Sequence, residues 1–259
     1  MSDMTLPLFR QDAYRRECSA TVLAITPDGL VLDQTVFYPL GGGQAGDAGV
    51  LVLANGQEVA VTDTRKAKDA EGVATQAIWH VLALPESLPE YLSEGLQVGA
   101  VVTARIDWAR RHKLMRFHTA THLLCHLVPQ LVNGCSITPD YARLDFNMSE
   151  ALDKETLNAG LARLVAAALP VQVGAISDSE LDANPSLVKS MSVQPPRGSG
   201  SVRTVRIDTG PGPDDAGLID FQPCGGTHVG NTAEIGAVLV TKIEKKGAML
   251  RRVVLGFAA

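Results

Sequence analysis

Asp107-Trp108-Ala109-Arg110-Arg111-His112-Lys113-Leu114-Met115-Arg116-Phe117-His118-Thr119-Ala120-Thr121-His122-Leu123-Leu124-Cys125-His126-Leu127 is the stretch on which the fold of this 259-residue chain turns. It holds neither Gly nor Pro and is first interrupted at Pro129. Asp107, just ahead of it, is a residue type whose carboxylate accepts from the free N–H groups of a first helical turn. The segment therefore predicts a helix over residues 108–127. Upstream, the pattern is one of short strands separated by turns. Residues 19–26 are apolar and β-branched, Pro27-Asp28-Gly29 turns the chain, and residues 30–33 return. Residues 50–54 and 58–63 flank Asn55-Gly56, a dipeptide that strongly favours a hairpin turn; residues 75–82 and 100–106 complete the set. No helical period interrupts these strands, so residues 1–106 are expected to form a glycine-rich, β-barrel-like domain, closed or nearly closed and antiparallel.

Downstream of the helix the chain mixes both periods. Ser149 or Asp153 is placed to cap a second helix, rich in Ala and Leu, ending near Leu169. Strands are expected over residues 171–176, 202–208, 237–244 and 250–257. Two stretches dense in Gly, Pro, Ser and Asp, residues 194–201 and 209–217, read as loops. The fold class is thus α+β, with residues 107–259 as a second, α+β domain.

Composition narrows the function classes. A hydrophobic fraction of 46% with 20% charged residues excludes general disorder. No uninterrupted apolar run approaches the ~18 residues of a membrane-spanning helix. The opening Met1-Ser2-Asp3-Met4-Thr5-Leu6-Pro7 lacks a basic stretch followed by an apolar one, and Cys18, Cys125, Cys135 and Cys224 follow no disulfide spacing. A reduced, cytoplasmic chain is expected. Its 23 basic and 28 acidic residues give a net charge of −5, which argues against general nucleic-acid affinity. The basic residues nonetheless cluster: Arg110, Arg111, Lys113 and Arg116 in one group, and Lys242, Lys245, Lys246, Arg251 and Arg252 in another. These are either solvated faces or a local phosphate-binding surface on an acidic body.

The chemistry-bearing residues fall in three places. His118 and His122 lie four apart, on one face of the predicted helix, where two imidazoles can converge on one ion. Cys224-Gly225-Gly226-Thr227-His228 offers a thiolate and an imidazole on a tight, non-helical loop. Together they make a complete zinc ligand set; the alternative is a buried thiol and three unrelated histidines. A further i+4 step rotates by roughly 40°, which turns His126 about 80° from His118, so His126 and Cys125 read as packing or supporting residues. A zinc protease is excluded, because the residue after the first His would have to be Glu and is Thr119. Third, Gly41, Gly43 and Gly46 spell G-x-G-x-x-G, but the residues that follow are strand-like rather than helical, so no dinucleotide site is expected. The glycines are read as permitting a sharp turn or close backbone approach, with Gln44 and Asp47 as the polar groups available to a ligand.

Three segments, Val31 to Gly49, Asp107 to Leu124 and Cys224 to Gly236, together resemble the editing region of alanyl-tRNA synthetases, in the same order and across roughly residue 19 to the end. With no room for an aminoacylation domain and no candidate ATP site, the chain is similar to the free-standing alanyl-tRNA editing proteins of the AlaX type, in the longer form that carries the glycine-rich domain. That resemblance implies a β-barrel-like domain beside an α+β editing domain of the kind common to threonyl- and alanyl-tRNA synthetases. It implies Zn2+ on His118, His122, Cys224 and His228, and hydrolysis of the ester joining serine, or glycine, to alanine tRNA. Two segments depart from the family pattern: residues 209–217 are longer, and Lys246-Gly247-Ala248-Met249-Leu250-Arg251-Arg252 replaces a run richer in Gly and Asn.

On this resemblance Thr35 and Gln44 are candidates for positioning the amino acid or terminal ribose. Arg110, Arg111, Lys113, Lys245, Lys246 and Arg251 are candidates for tRNA phosphates. Four protein ligands would close a tetrahedral site. Zinc would then gain a fifth position, lose a ligand to water, or serve only to anchor the aminoacyl end. Two rival functions stand beside the hydrolase: a non-catalytic zinc-containing tRNA-binding module, and editing of a different mischarged tRNA such as threonine tRNA carrying serine.

Overall fold

Alternation of apolar and polar residues builds most of the first unit. In the computed structural model, which describes residues 4–83, 95–195, 200–210 and 217–258, the strands are β1 (Leu6–Pro7), β2 (Glu17–Thr26), β3 (Gly29–Leu32), β4 (Gln34–Thr35), β5 (Gly49–Val52), β6 (Glu58–Lys68), β7 (Ala74–Leu82) and β8 (Val101–Ile106). In β6, Val59 and Val61 point inward while Glu58, Ala60 and Thr62 are exposed; β8 buries Val102, Ala104 and Ile106 in the same way. Six of the strands pair in a ring, β2-β3-β7-β6-β5-β8, closed by the antiparallel β2–β8 register from Glu17↔Arg105 to Thr21↔Val101. Closure leaves the ring no free edge. Its interior is filled by Val22, Leu30, Leu32, Phe37, Leu51 and Ala104, all without solvent exposure. Each full burial of such a Val, Leu or Phe contributes roughly 1.5–3 kcal/mol. The Asn55-Gly56 turn joins β5 to β6 with Gly56 at φ +84°, but the connection is longer than two residues, closing through Leu53 N–H to Gln57 O at 2.8 Å.

The second unit is built around α1 (Trp108–Leu127). Asp107 accepts from Arg110 N–H at 3.0 Å and so starts the helix. Between Leu114 and Cys125 only Arg116 is more than slightly exposed, so the middle of the helix is enclosed on all sides. The remaining elements are β9 (Val132–Ile137), β10 (Ala142–Asn147), α2 (Lys154–Ala166), β11 (Val171–Ser177), α3 (Asp178–Ala183), β12 (Ser201–Asp208), β13 (Leu218–Pro223), β14 (Val238–Gly247) and β15 (Leu250–Phe257). They form a four-stranded sheet in the order β14-β15-β10-β9 and a three-stranded sheet in the order β11-β12-β13. Asp153, rather than Ser149, caps α2 by accepting from Thr156 N–H at 2.7 Å, and the helix ends at Ala166, short of Leu169. Ala168 turns left-handed at φ 51° and stops it.

Strands β9, β10 and β13 and helix α3 were not expected from the sequence. The helix has a clear local cause, a capping box in which Ser177 and Glu180 satisfy each other's backbone. The chain divides into two units, Met1–Gly41 with Ala45–Arg111, and Gly42–Gln44 with His112–Ala259. The division thus falls after Arg111 rather than at Ile106, and it assigns three residues of the glycine-rich stretch to the second unit. Of the two expected loops, residues 196–199 and 211–216 lie outside the described residues, as does the Pro85 to Pro89 segment. No helix among the described residues is long and apolar enough to cross a membrane.

Candidate metal centre

Helix α1 sets His118 and His122 one turn apart on a buried face, with ring centroids 5.4 Å apart. Strand β13 runs into Cys224, and the Gly225-Gly226 turn brings His228 back against the helix, 4.2 Å from the His118 ring and 4.6 Å from the His122 ring. The turn depends on glycine: a Cβ at Gly226 would stand 2.1 Å from His118 Cε1 and 2.9 Å from Gln44 Oε1. Cys224 Sγ lies 3.4 Å from His118 Nε2 and 3.2 Å from His228 Nε2, and one ligand atom from each of the four residues falls within 4.8 Å of the others. A tetrahedral zinc ion with Zn–S of about 2.3 Å and Zn–N of about 2.0–2.1 Å separates S from N by about 3.5 Å. The donor set and its spacing therefore fit zinc.

Each imidazole is held through its other nitrogen. His118 Nδ1–H donates to Gln44 Oε1 at 2.7 Å, while Gln44 Nε2 donates to Thr227 Oγ1 at 2.8 Å and Gln44 Oε1 also accepts from Thr227 N–H. Thr119 Oγ1 donates to Met115 O, so it can only accept from His228 Nδ1–H at 3.1 Å and Val229 N–H at 3.2 Å. His122 Nδ1–H donates to Asp220 Oδ2 at 2.7 Å. These partners assign the Nδ1–H tautomer to all three rings and leave each Nε2 as the nitrogen available to a metal.

Without a metal ion, the local charges favour a thiolate at Cys224 and a further proton on His122, which an ion binding at Nε2 would displace. Burial opposes ionisation of Cys224, but neighbouring His118 and His228 outweigh it and hold the thiol well below its ordinary range. Burial would also lower His122, yet the charge and hydrogen bond of Asp220 raise it to about 9. His228 is pushed down to about 3 by burial and by His118. Asp220 is lowered in spite of its burial, because His122 and Lys189 face its carboxylate. A thiolate beside a proton-sharing imidazole is the state from which a metal ion displaces a proton on binding.

The remaining sequence candidates are distributed differently. Cys125 is a core thiol, its pKa pushed up by burial, and neither it nor His126 belongs to the cluster. Gln44 is fully buried, with its amide spent on His118 and Thr227, so it positions a ligand residue; Asp47, also expected to face a ligand, is sealed off as well. Asp47 pairs with Arg111, neither side chain has any exposure, and Arg111 further donates to Ala13 O at 3.0 Å and Val36 O at 2.6 Å. Arg111 is thus an internal ion pair of the first unit and not a phosphate contact. Arg251 is 8% exposed and bound to the carbonyls of Ser149, Glu150 and Gly247, which corrects the same expectation there. Lys113, Lys245 and Lys246 are exposed, and Arg110 is half-buried with its guanidinium on Gly46 O. Thr35 has no exposure; its hydroxyl accepts from Phe37 N–H at 3.1 Å and contacts His80 Nε2 at 2.7 Å. The supporting residues that sequence reasoning missed are Thr119, Asp220, Lys189 and Thr227. Only Thr119 carried a local signal, by sitting between the two helical histidines.

Two family models match the chain: the threonyl and alanyl tRNA synthetase second additional domain over residues 202–254, and tRNA synthetases class II (A) over residues 9–110. The chain is 32% identical over 254 residues to the alanyl-tRNA editing protein AlaX-M of Saccharolobus solfataricus, covering 96% of this chain and 98% of that one. It is 34% identical to the protein of that name from Methanosarcina barkeri, covering 96% and 97%. It is also 31% identical to the alanine–tRNA ligase of Sulfurisphaera tokodaii, there spanning 93% of this chain but 25% of the ligase.

Proposed function

Because the chain belongs to the family of alanyl-tRNA editing proteins of the AlaX-M type, we propose that it is a trans-editing hydrolase acting in the cytoplasm on alanine tRNA mischarged with serine or glycine. The observation that carries this function is the convergence of Cys224 Sγ with three imidazoles, each oriented through its Nδ1, in a chain matched over nearly its whole length by editing proteins. His118, His122, Cys224 and His228 would hold Zn2+. When bound, the ion supplies Lewis-acid polarisation or a lowered water pKa. The reaction needs little more: water adds to the ester carbonyl carbon, the bond to the ribose oxygen breaks, that oxygen takes a proton, and free amino acid leaves. An aminoacyl ester is already activated, so no ATP is required.

The chain's own residues then orient and bind. Gln44, Thr119 and Asp220 fix the ligand imidazoles. Lys113, Lys245 and Lys246, with Arg110, are the basic groups offered to tRNA phosphates. Thr35 is kept as the candidate for selecting serine over alanine, but its hydroxyl is unexposed and held by Phe37 N–H and His80 Nε2, so that role requires this position to open to the amino acid. A Thr35→Val enzyme with an unchanged ratio of serine to alanine release would remove Thr35 from that role.

Deacylation of serine-charged alanine tRNA by the purified, zinc-loaded protein tests the proposal, beside a Cys224→Ala variant of verified fold. Loss of serine with wild type, none with the variant, and survival of correctly charged alanine is the expected result. Binding of tRNA with the ester intact would make the protein a binding module. Release of serine from threonine tRNA alone would reassign the substrate, a reading to which the threonyl and alanyl family model lends its name.

A further inference from the structure

Asp220 is 1% exposed and its carboxylate is shared three ways. Oδ2 accepts from His122 Nδ1–H at 2.7 Å and from Gln222 Nε2 at 2.9 Å, and Oδ1 is paired with the Lys189 ammonium. Lys189 is not a loose surface cation. Its backbone is clamped to β9, with Val132 N–H donating to Lys189 O at 2.9 Å and Met191 N–H donating to Val132 O at 2.9 Å, and its side chain is 27% exposed. An ammonium has three donors and no acceptor, so whatever stands at position 220 must turn an oxygen toward it.

We propose that Lys189 and Asp220 act together as a tautomer selector for His122: Lys189 orders position 220, and position 220 keeps the His122 proton on Nδ1 so that Nε2 stays open to the metal. Asp220 is a positioning residue, acting on the centre only through His122. The inference rests on the zinc assignment above and adds a consequence specific to this pair. Asparagine at 220 has the shape of aspartate but one oxygen. Held by Lys189, that oxygen faces the ammonium, and the amide NH2 faces His122. A donor at that place requires Nδ1 to accept, which moves the imidazole proton to Nε2 and blocks the ligand position.

The test is zinc affinity of the whole chain by competition with a chromophoric chelator, with the absorption of the Co2+-substituted protein as a second readout and the thermal midpoint of the metal-free protein as the fold control. Asp220→Asn should weaken zinc binding by about 10- to 100-fold, the usual range for removal of an outer-shell partner, and should alter the Co2+ spectrum. Lys189→Met alone should change affinity by less than about threefold, because aspartate presents an oxygen to His122 either way. The double variant Asp220→Asn with Lys189→Met frees the amide to turn its oxygen to His122, and should recover most of the missing affinity. Wild-type affinity in Asp220→Asn, or no recovery in the double variant, overturns the selector while leaving the zinc site standing. A wild-type protein that binds no zinc overturns both.

Discussion

His80 shows how a single residue can set the pH response of the first unit. It has no solvent exposure, its Nδ1–H donates to Leu30 O at 3.0 Å, and the Thr35 hydroxyl donates to its Nε2 at 2.7 Å. Burial pushes its pKa down to about 4 from an ordinary value of 6.5. The folded chain therefore refuses a proton that the unfolded chain accepts between those values, and stability falls as pH drops through that window while staying flat above it. At pH 5 the loss from this group is about 2 kcal/mol relative to pH 7. Urea midpoints at pH 7 and pH 5, compared between wild type and His80→Gln, isolate the effect; equal losses in the two proteins would remove His80 as its source. The four metal-ligand candidates were legible at this scale because the i to i+4 spacing and the Cys-Gly-Gly-Thr-His turn are local. The partners that orient them were not, since Gln44 and Asp220 lie 74 and 98 residues from the histidines they hold.

Among the elements, α2 shows how a helix end is secured from outside its own sequence. Thr232, without exposure, donates to Leu164 O at 2.9 Å and accepts from Leu169 N–H at 2.9 Å, while Asn231 Nδ2 donates to Ala168 O at 2.8 Å. The first of these bonds satisfies a carbonyl that the helix leaves open at its C-terminus, and the other two hold the turn that follows it. Thr232→Val keeps the shape and removes both hydroxyl bonds, leaving a buried N–H without a partner. It should cost about 1–3 kcal/mol in urea unfolding with the denaturant slope unchanged. The helix start was readable, because Asp107 and Asp153 cap within their own turn. The end was misplaced by three residues, because Thr232 is distant in sequence. Strands β9 and β10 escaped notice for a related reason: Val132-Asn133-Gly134-Cys135-Ser136-Ile137 has little strand character alone and is held by the neighbours it pairs with.

At the scale of the whole molecule, a net charge of −5 means that any tRNA surface must be local. Replacing Lys113, Lys245 and Lys246 together by Gln should weaken tRNA binding and flatten its salt dependence by roughly 0.7–0.9 in log–log slope for each phosphate no longer neutralised. Arg111→Met should act through folding instead, costing about 3–5 kcal/mol because it strands the buried Asp47 carboxylate. A salt slope that falls with Arg111→Met and holds in the lysine variant would reverse these assignments. The same contrast marks what each level of description decides. Sequence by itself determined the β-rich first hundred residues, the long helix, the α+β class and the four candidate ligands, because period, capping and i+4 spacing act between near neighbours in the chain. Only the tertiary structure decided that Arg111 and Arg251 are internal, that Gln44 serves His118, that strands β2 and β8 close the ring, and that Asp220 and Lys189 stand behind His122. Those outcomes depend on burial and on hydrogen bonds between residues far apart in the chain, where a charged or amide side chain reads the same in sequence whether it meets water or a partner.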